Sequence, residues 1–264
     1  RLIRTENPAG GTLDLVRTET EHGFEVTVTT AGGRSTRYRT ETLPSGTKLR
    51  VNQSSDGLET LVESRGGTTS ATFPHGVALN QVEGPDPRFG MLSPVINLLT
   101  LTTPDGLSFT FEGTRTAELN DPTDLLSLKT LTEIQTINGR TTTNVYDAAT
   151  RTVTTTSHAG RQAVATFDEA GRITGAQMGD LAPMAVTYDA FGRPDHLTMG
   201  TGDRIESILL GYDPDTGYPA SFTDPLGETW YFLRDMAERT TSLISADLEE
   251  AETAYDAKGN SISN

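Results

Sequence analysis

Side chains able to do chemistry are sparse in this sequence, and most of them punctuate turns. The four histidines, His22, His75, His158 and His196, sit in or beside turn signals. None forms a helical His-x-x-x-His pair, and no Gly-x-Ser-x-Gly elbow occurs. The absence of cysteine removes disulfides, thiolate nucleophiles and the common structural zinc sites. Asp213-Pro214-Asp215-Thr216-Gly217 opens like a calcium loop but lacks the following ligands and the bidentate glutamate. Gly200-Thr201-Gly202 lacks the third glycine and the helix of a dinucleotide site. Acidic residues are numerous enough to furnish a glycosidase pair by chance, so their presence identifies nothing. No catalytic, cofactor-binding or metal-binding residue is expected, and no enzyme.

The aspartates have a different pattern. Tyr188-Asp189-Ala190-Phe191-Gly192-Arg193 places an aspartate at the start of a four-residue reversal and a glycine at its end. The carboxylate can accept the following amides, and the glycine can take the positive φ of a hairpin bulge. Phe167-Asp168-Glu169-Ala170-Gly171-Arg172 precedes it by 21 residues, and Tyr146-Asp147-Ala148-Ala149-Thr150-Arg151 precedes that by 21 more. Tyr212-Asp213 continues the series to Gly217 with one extra loop residue. Arg234-Asp235 runs to Arg239 in a degenerate form, and Tyr255-Asp256 to Gly259 restores the pattern. A fixed period in this range means that one supersecondary unit is stacked, because a single unit cannot bury its apolar side alone.

In this register the pattern resembles that of the RHS/YD-repeat family, named after its tyrosine–aspartate pair. The resemblance covers roughly residues 138–264 and includes Thr223-Asp224-Pro225-Leu226-Gly227, similar to a stretch that often separates YD turns. Thr150 and Glu238 in the glycine place and Arg234 in the tyrosine place depart from it. The resemblance implies an all-β fold, a long antiparallel meander of short strands curling into part of a hollow YD-repeat shell. Such shells occur in bacterial Rhs proteins, insecticidal toxin complexes and teneurins. The implied function is structural: to enclose or display another part of the same polypeptide, commonly a C-terminal toxin domain in bacterial relatives. The implied partners are the other repeats and that cargo, and the implied location is secreted or cell-surface. Many bacterial members carry an Asp-Pro-x-Gly self-cleavage motif at the shell's end. Here Asp224-Pro225-Leu226-Gly227 precedes two more turns and is followed by Glu228 where an apolar residue is usual, so it reads as an ordinary turn.

The positioning elements read as strands. Phe24, Val26 and Val28 alternate with Glu25, Thr27 and Thr29; Leu58, Thr60 and Val62 share one face, as do Leu107, Phe109 and Phe111. One face is expected buried and the other wet. Turn signals at His22-Gly23, Gly32-Gly33, Ser45-Gly46, Asp56-Gly57 and Gly66-Gly67 delimit about six strands in 12–73. Prolines and glycines crowd 74–97, which is expected to hold little regular ladder. Within 119–127, Asp121 and Pro122 suit the cap and first position of one helical turn. Beyond the Asn138-Gly139 hairpin signal, midpoint turns at Gly160, Gly179, Gly200–Gly202, Asp224–Gly227 and Ser245–Asp247 make each unit two strands and two turns. Tyr146, Phe167, Tyr188, Tyr212 and Tyr255 then fall on one rim and one side, and Gly171, Gly192, Gly217 and Gly259 should have positive φ. The expected organisation is 1–118, degenerate β-repeats; 119–137, an irregular connection and strand; and 138–264, YD repeats continuous with the first region.

The formal net charge of −15 makes nucleic acid or an anionic membrane unfavourable as a partner. No apolar run approaches the roughly 20 residues that span a bilayer, so no membrane insertion is expected. The chain starts at Arg1 and stops after the Tyr255 turn, where the period calls for another strand, so it reads as an excerpt. Open sheet edges would then favour self-association. Two rival functions remain on these residues: an adhesion or glycan-binding module, and a carbohydrate-active β-enzyme.

Overall fold

The computed structural model describes residues 2–235, 237, 239–245, 247, 250–256 and 260–262. It is all-β, with one 3-10 turn at Pro74–Gly76. The chain divides into two compact units, Arg1–Val145 and Tyr146–Asn264.

The first unit is an antiparallel meander in which each strand pairs with the next. Its paired strands are Arg4–Glu6, Thr12–Glu19, Gly23–Thr30, Ser35–Thr42, Lys48–Gln53, Glu59–Arg65, Thr68–Thr72, Ala78–Asp86, Gly90–Thr102, Ser108–Leu119 and Leu128–Ile137, and the strand Arg140–Asp147 crosses the division between the units. The dominant connection is a hairpin with a three-residue loop. Between Thr30 and Arg34 the amide of Thr30 donates to the carbonyl of Arg34 and the amide of Gly33 to the carbonyl of Thr30, both at 2.9 Å. The same two bonds close Leu43–Thr47, Ser54–Leu58, Phe73–Val77 and Thr103–Leu107. Asn138 and Gly139 have φ of 46° and 77°, the double left-handed pattern of a type I′ turn.

Two expectations for this unit are corrected. Residues 74–97 do carry a ladder: Ala78–Asp86 and Gly90–Thr102 form a long hairpin. Its ladder shifts register between Val82 and Glu83 and between Gly84 and Asp86, so Pro85 stands outside the pairing, and Pro94 has no partner in it. Bulges of this kind let a strand carry residues without an amide donor. Residues 119–127 form no helical turn. Asp121 does accept the amide of Thr123 at 2.8 Å, but the segment closes as consecutive turns, with Asp124 donating to the carbonyl of Asp121 at 3.1 Å.

The second unit continues with Thr152–Thr156, Gln162–Phe167, Ile173–Met178, Met184–Tyr188, Pro194–Met199, Glu206–Tyr212, Pro219–Thr223, Thr229–Arg234, Thr240–Ser245 and Glu250–Glu252, again paired in order. Ala254–Tyr255 and Ser261–Ile262 form a separate pair. Register sorts side chains by face. Ala176 opposes Met184, Met184 opposes Met199, Leu197 opposes Ile208, and Leu210, Phe222 and Trp230 oppose one another in line. The other side carries Thr154, Thr166, Thr187, His196, Thr198 and Thr223.

The expectation that one face is buried fails within both units. Among the described residues Ala71, at 6 % exposure, is the one buried hydrophobic side chain. The substantial strand contacts run between sequence neighbours. Stabilisation therefore lies in the ladders, in cross-strand pairs such as the parallel rings of Phe222 and Trp230, 6.3 Å apart, and in the turns.

Candidate functional site

Each repeat turn is built from its aspartate outward. The amide of Asp189 donates to the carbonyl of Arg193, and the amide of Gly192 to the carbonyl of Asp189, both at 2.9 Å. Asp189 Oδ1 then accepts the amides of Phe191 and Arg193 at 2.9 Å, while Oδ2 takes Nε and Nη2 of Arg193 at 2.7 Å. Asp168 holds Ala170 and Arg172 in the same way, and Asp235 holds Ala237 and Arg239. Asp256 repeats the box with Asn260 in the arginine's place. Asp213 uses Oδ1 for the amides of Asp215 and Thr216 and the Thr216 hydroxyl, which accounts for the calcium-like sequence as turn chemistry. Asp224 accepts the amides of Leu226 and Glu228, so Asp224–Glu228 is a turn of the same build without the arginine.

These bonds favour the charged carboxylate. The Arg172 amide is the main influence holding Asp168 below the ordinary aspartate range. The Arg239 side chain does the same for Asp235. At Asp189 burial pushes upward most strongly, but the amide and guanidinium of Arg193 together outweigh it and the carboxyl is lowered.

Gly171, Gly192 and Gly217 have φ of 78°, 82° and 77°. Gly259 lies outside the described residues, and so does Glu238. At Tyr146–Arg151 the turn changes: Arg151, not Thr150, takes the positive φ, at 51°. Thr150 instead donates its amide and hydroxyl to Asp147 Oδ1.

A bulge follows each of four turns. Phe167 pairs with Ile173 and Thr166 with Gly175, leaving Thr174 between them; Asp195, Ala220 and Thr241 are passed over in the same way. Pairing with the following strand begins only beyond this point, at Gly175, His196, Ser221 and Ser242. The carbonyls of Ile173, Pro194, Pro219 and Thr240, before the bulge, are thus left without a ladder partner where the strands splay.

The next unit supplies one. Tyr188 donates its hydroxyl to the Ile173 carbonyl at 2.6 Å, Tyr212 to Pro194 at 2.7 Å, and Tyr255 to Thr240 at 2.7 Å. The arginine of the earlier turn lies over the ring of the later tyrosine: Arg172 over Tyr188 at 4.4 Å, Arg193 over Tyr212 at 4.1 Å, Arg239 over Tyr255 at 4.6 Å. Arg193 Nη1 also reaches the Gly217 carbonyl at 2.9 Å. One aspartate–arginine–tyrosine clamp thus joins each of these turns to the next. Phe167 has no hydroxyl to offer, and Arg151 pairs with Glu169 at 2.9 Å.

Arg234, which breaks the pattern in sequence, keeps the clamp by exchange. The arginine place of the preceding turn holds Tyr218, and Arg234 lies over its ring at 5.0 Å. Arg234 Nη2 donates to the Pro219 carbonyl at 3.0 Å, the bond a tyrosine hydroxyl makes elsewhere. Arg172–Tyr188, Tyr218–Arg234 and Arg239–Tyr255 are each sixteen positions apart, so reading at that spacing exposes the exchange.

The turn periodicity did not point to a second polar group, in the first unit. The carboxylate of Asp86, 1 % exposed, takes Arg115 Nη1 at 2.9 Å and the amides of Arg88 and Phe89. Arg115 Nε holds Glu133 at 2.7 Å. Burial raises the Asp86 carboxyl, but Arg115 and the two amides outweigh it and leave it lowered. Among the described residues no group of three His, Cys, Asp or Glu could hold a metal, and no helix is long and apolar enough to cross a membrane.

No protein-family model matches the sequence, and no curated protein matches it significantly. Solved structures do. A structure of the Photorhabdus luminescens Tc holotoxin pore aligns over 96 % of this chain and 14 % of its own, with TM-score 0.51 and 13 % identity. A TcdB2–TccC3–Cdc42 crystal structure aligns over 96 % of this chain and 16 % of its own, with TM-score 0.46 and 13 % identity. The chain thus spans about a sixth of the structures it resembles, and the likeness to the holotoxin is one of fold.

Proposed function

We propose that this chain is a wall segment of a larger RHS/YD-repeat shell. Its task is to enclose or display another part of the same polypeptide, in the manner of shells around a C-terminal toxin domain, and it does no chemistry of its own. The observation that carries this reading is the clamp. Arginine, tyrosine and the aspartates of the rim are spent on one another and on backbone, at Asp168–Arg172–Tyr188, Asp189–Arg193–Tyr212 and Asp235–Arg239–Tyr255, which fastens strand to strand. The fold likeness to a Tc holotoxin supports it. Meanders with almost no buried apolar side chain suit a wall whose faces meet other parts of a larger protein, at the cell surface or secreted.

The test is limited proteolysis of the parent polypeptide. The region C-terminal to the shell should be protected while the wall is intact and become cleavable when clamp substitutions at Arg172 and Arg193 open it. Equal cleavage in both would contradict enclosure. A specific glycan bound by the isolated chain would favour the adhesion reading instead.

A further inference from the structure

Units that share one rim motif raise a problem that the clamp alone does not solve. A strand end carrying Asp–Arg and a bare carbonyl can receive any strand end carrying tyrosine, so a unit could pair with its next neighbour but one. Such slips are the characteristic error of repeat chains. The exchanged pair bears on this. Arg193 natively meets Tyr212, and the next position of that kind is Arg234. A slip by one unit would bring the Arg234 guanidinium, aimed at the Pro194 carbonyl in place of the Tyr212 hydroxyl, against the Arg193 guanidinium where the Tyr212 ring natively lies. The polarity reversal at Tyr218–Arg234 makes this junction incompatible with its upstream neighbour while keeping the ring contact at 5.0 Å and the bond to Pro219 at 3.0 Å.

We propose that Tyr218 and Arg234 are specificity-determining residues for strand order, a reversed clamp that bars the Glu206–Thr223 hairpin from being skipped during folding. An ordinary pair, arginine then tyrosine, would hold the native junction about as well and would not discriminate.

The experiment uses the full chain, which lacks cysteine. His196 natively opposes Leu209, three residues before Tyr212. In the skipped pairing it would oppose Tyr231, three residues before Arg234. Natively Tyr231 lies three strands away, roughly 14 Å, beyond disulfide reach. His196→Cys with Tyr231→Cys therefore reports the slip, and His196→Cys with Leu209→Cys reports native order. Each pair is refolded from urea with oxidised glutathione in three backgrounds: natural, Arg234→Tyr, and Tyr218→Arg with Arg234→Tyr.

The double substitution should leave the native cross-link and the unfolding midpoint nearly unchanged while raising the slipped cross-link about tenfold, the scale of a lost cation–π contact and a like-charge encounter. Arg234→Tyr alone removes the like-charge barrier and should raise it too, which keeps the test open should the double variant fail to fold. An unchanged slipped fraction in both backgrounds overturns the proposal. Loss of the native cross-link without slipped product does so as well, since it assigns the pair to stability alone.

Discussion

Two glycines in equivalent places separate the strain of the turn from the value of the clamp. Gly171 and Gly192 have φ of 78° and 82°, so alanine at either meets the same left-handed penalty, about 1–2 kcal/mol. Their surroundings differ. A Cβ at Gly171 has no atom within 4 Å, whereas a Cβ at Gly192 comes to 2.8 Å from Arg172 Nη1. That is too close for a methyl group, so the guanidinium must shift over Tyr188 and lose part of its cation–π attraction, roughly 0.5 kcal/mol. Gly171→Ala should therefore cost about 1.5 kcal/mol and Gly192→Ala about 2 kcal/mol. Urea unfolding followed by circular dichroism measures both, and an unchanged denaturant slope shows that the same cooperative unit is compared. In an Arg172→Ala background the two glycines should become equivalent. Equal losses in the natural background, or a difference that survives removal of Arg172, would refute the clamp as an energetic link between units.

Tyr188→Phe and Tyr212→Phe each strand a carbonyl at the splayed strand end and should cost about 1 kcal/mol by the same unfolding assay, with little change in the spectrum of the folded chain. Asp168, Asp189 and Asp235 are lowered in the folded state, so the stability they contribute is present above the unfolded aspartate value, near 4, and is lost as pH falls through the lower folded values. Acid titration of the unfolding midpoint should show that loss, and Asp189→Asn should flatten part of it. Asp86→Asn weakens a buried carboxylate held by Arg115 and two amides and should cost about 3 kcal/mol, more than any single rim substitution. A cost within experimental error of zero would show that this network is dispensable.

What the sequence made legible was local. An aspartate that bonds amides two and four residues ahead, with a glycine between, leaves a signature within six residues, so the period and the rim turns could be read directly. The exchange at Tyr218 and Arg234 could not, because its logic lies between units: each residue looks like a defect until its partner sixteen positions away is considered. The hairpin Ala78–Thr102 was missed for a related reason. Prolines argue against a ladder only where their missing amide is needed, and bulges at Asn97 and Pro85 shift that need elsewhere. Asp86, Arg115 and Glu133 come from three strands, and nothing in their spacing announces the contact. The nearly bare faces were also illegible, since alternating apolar residues say which side wants cover and not whether the same chain supplies it.

The most direct test of the account is a cryo-electron-microscopy structure of the parent polypeptide. The wall reading predicts that the strands of the second unit run on into further repeats through the same aspartate–arginine–tyrosine rim, with another part of the chain inside. A chain that instead closes on itself as a separate domain, with its rim exposed and nothing enclosed, would contradict it.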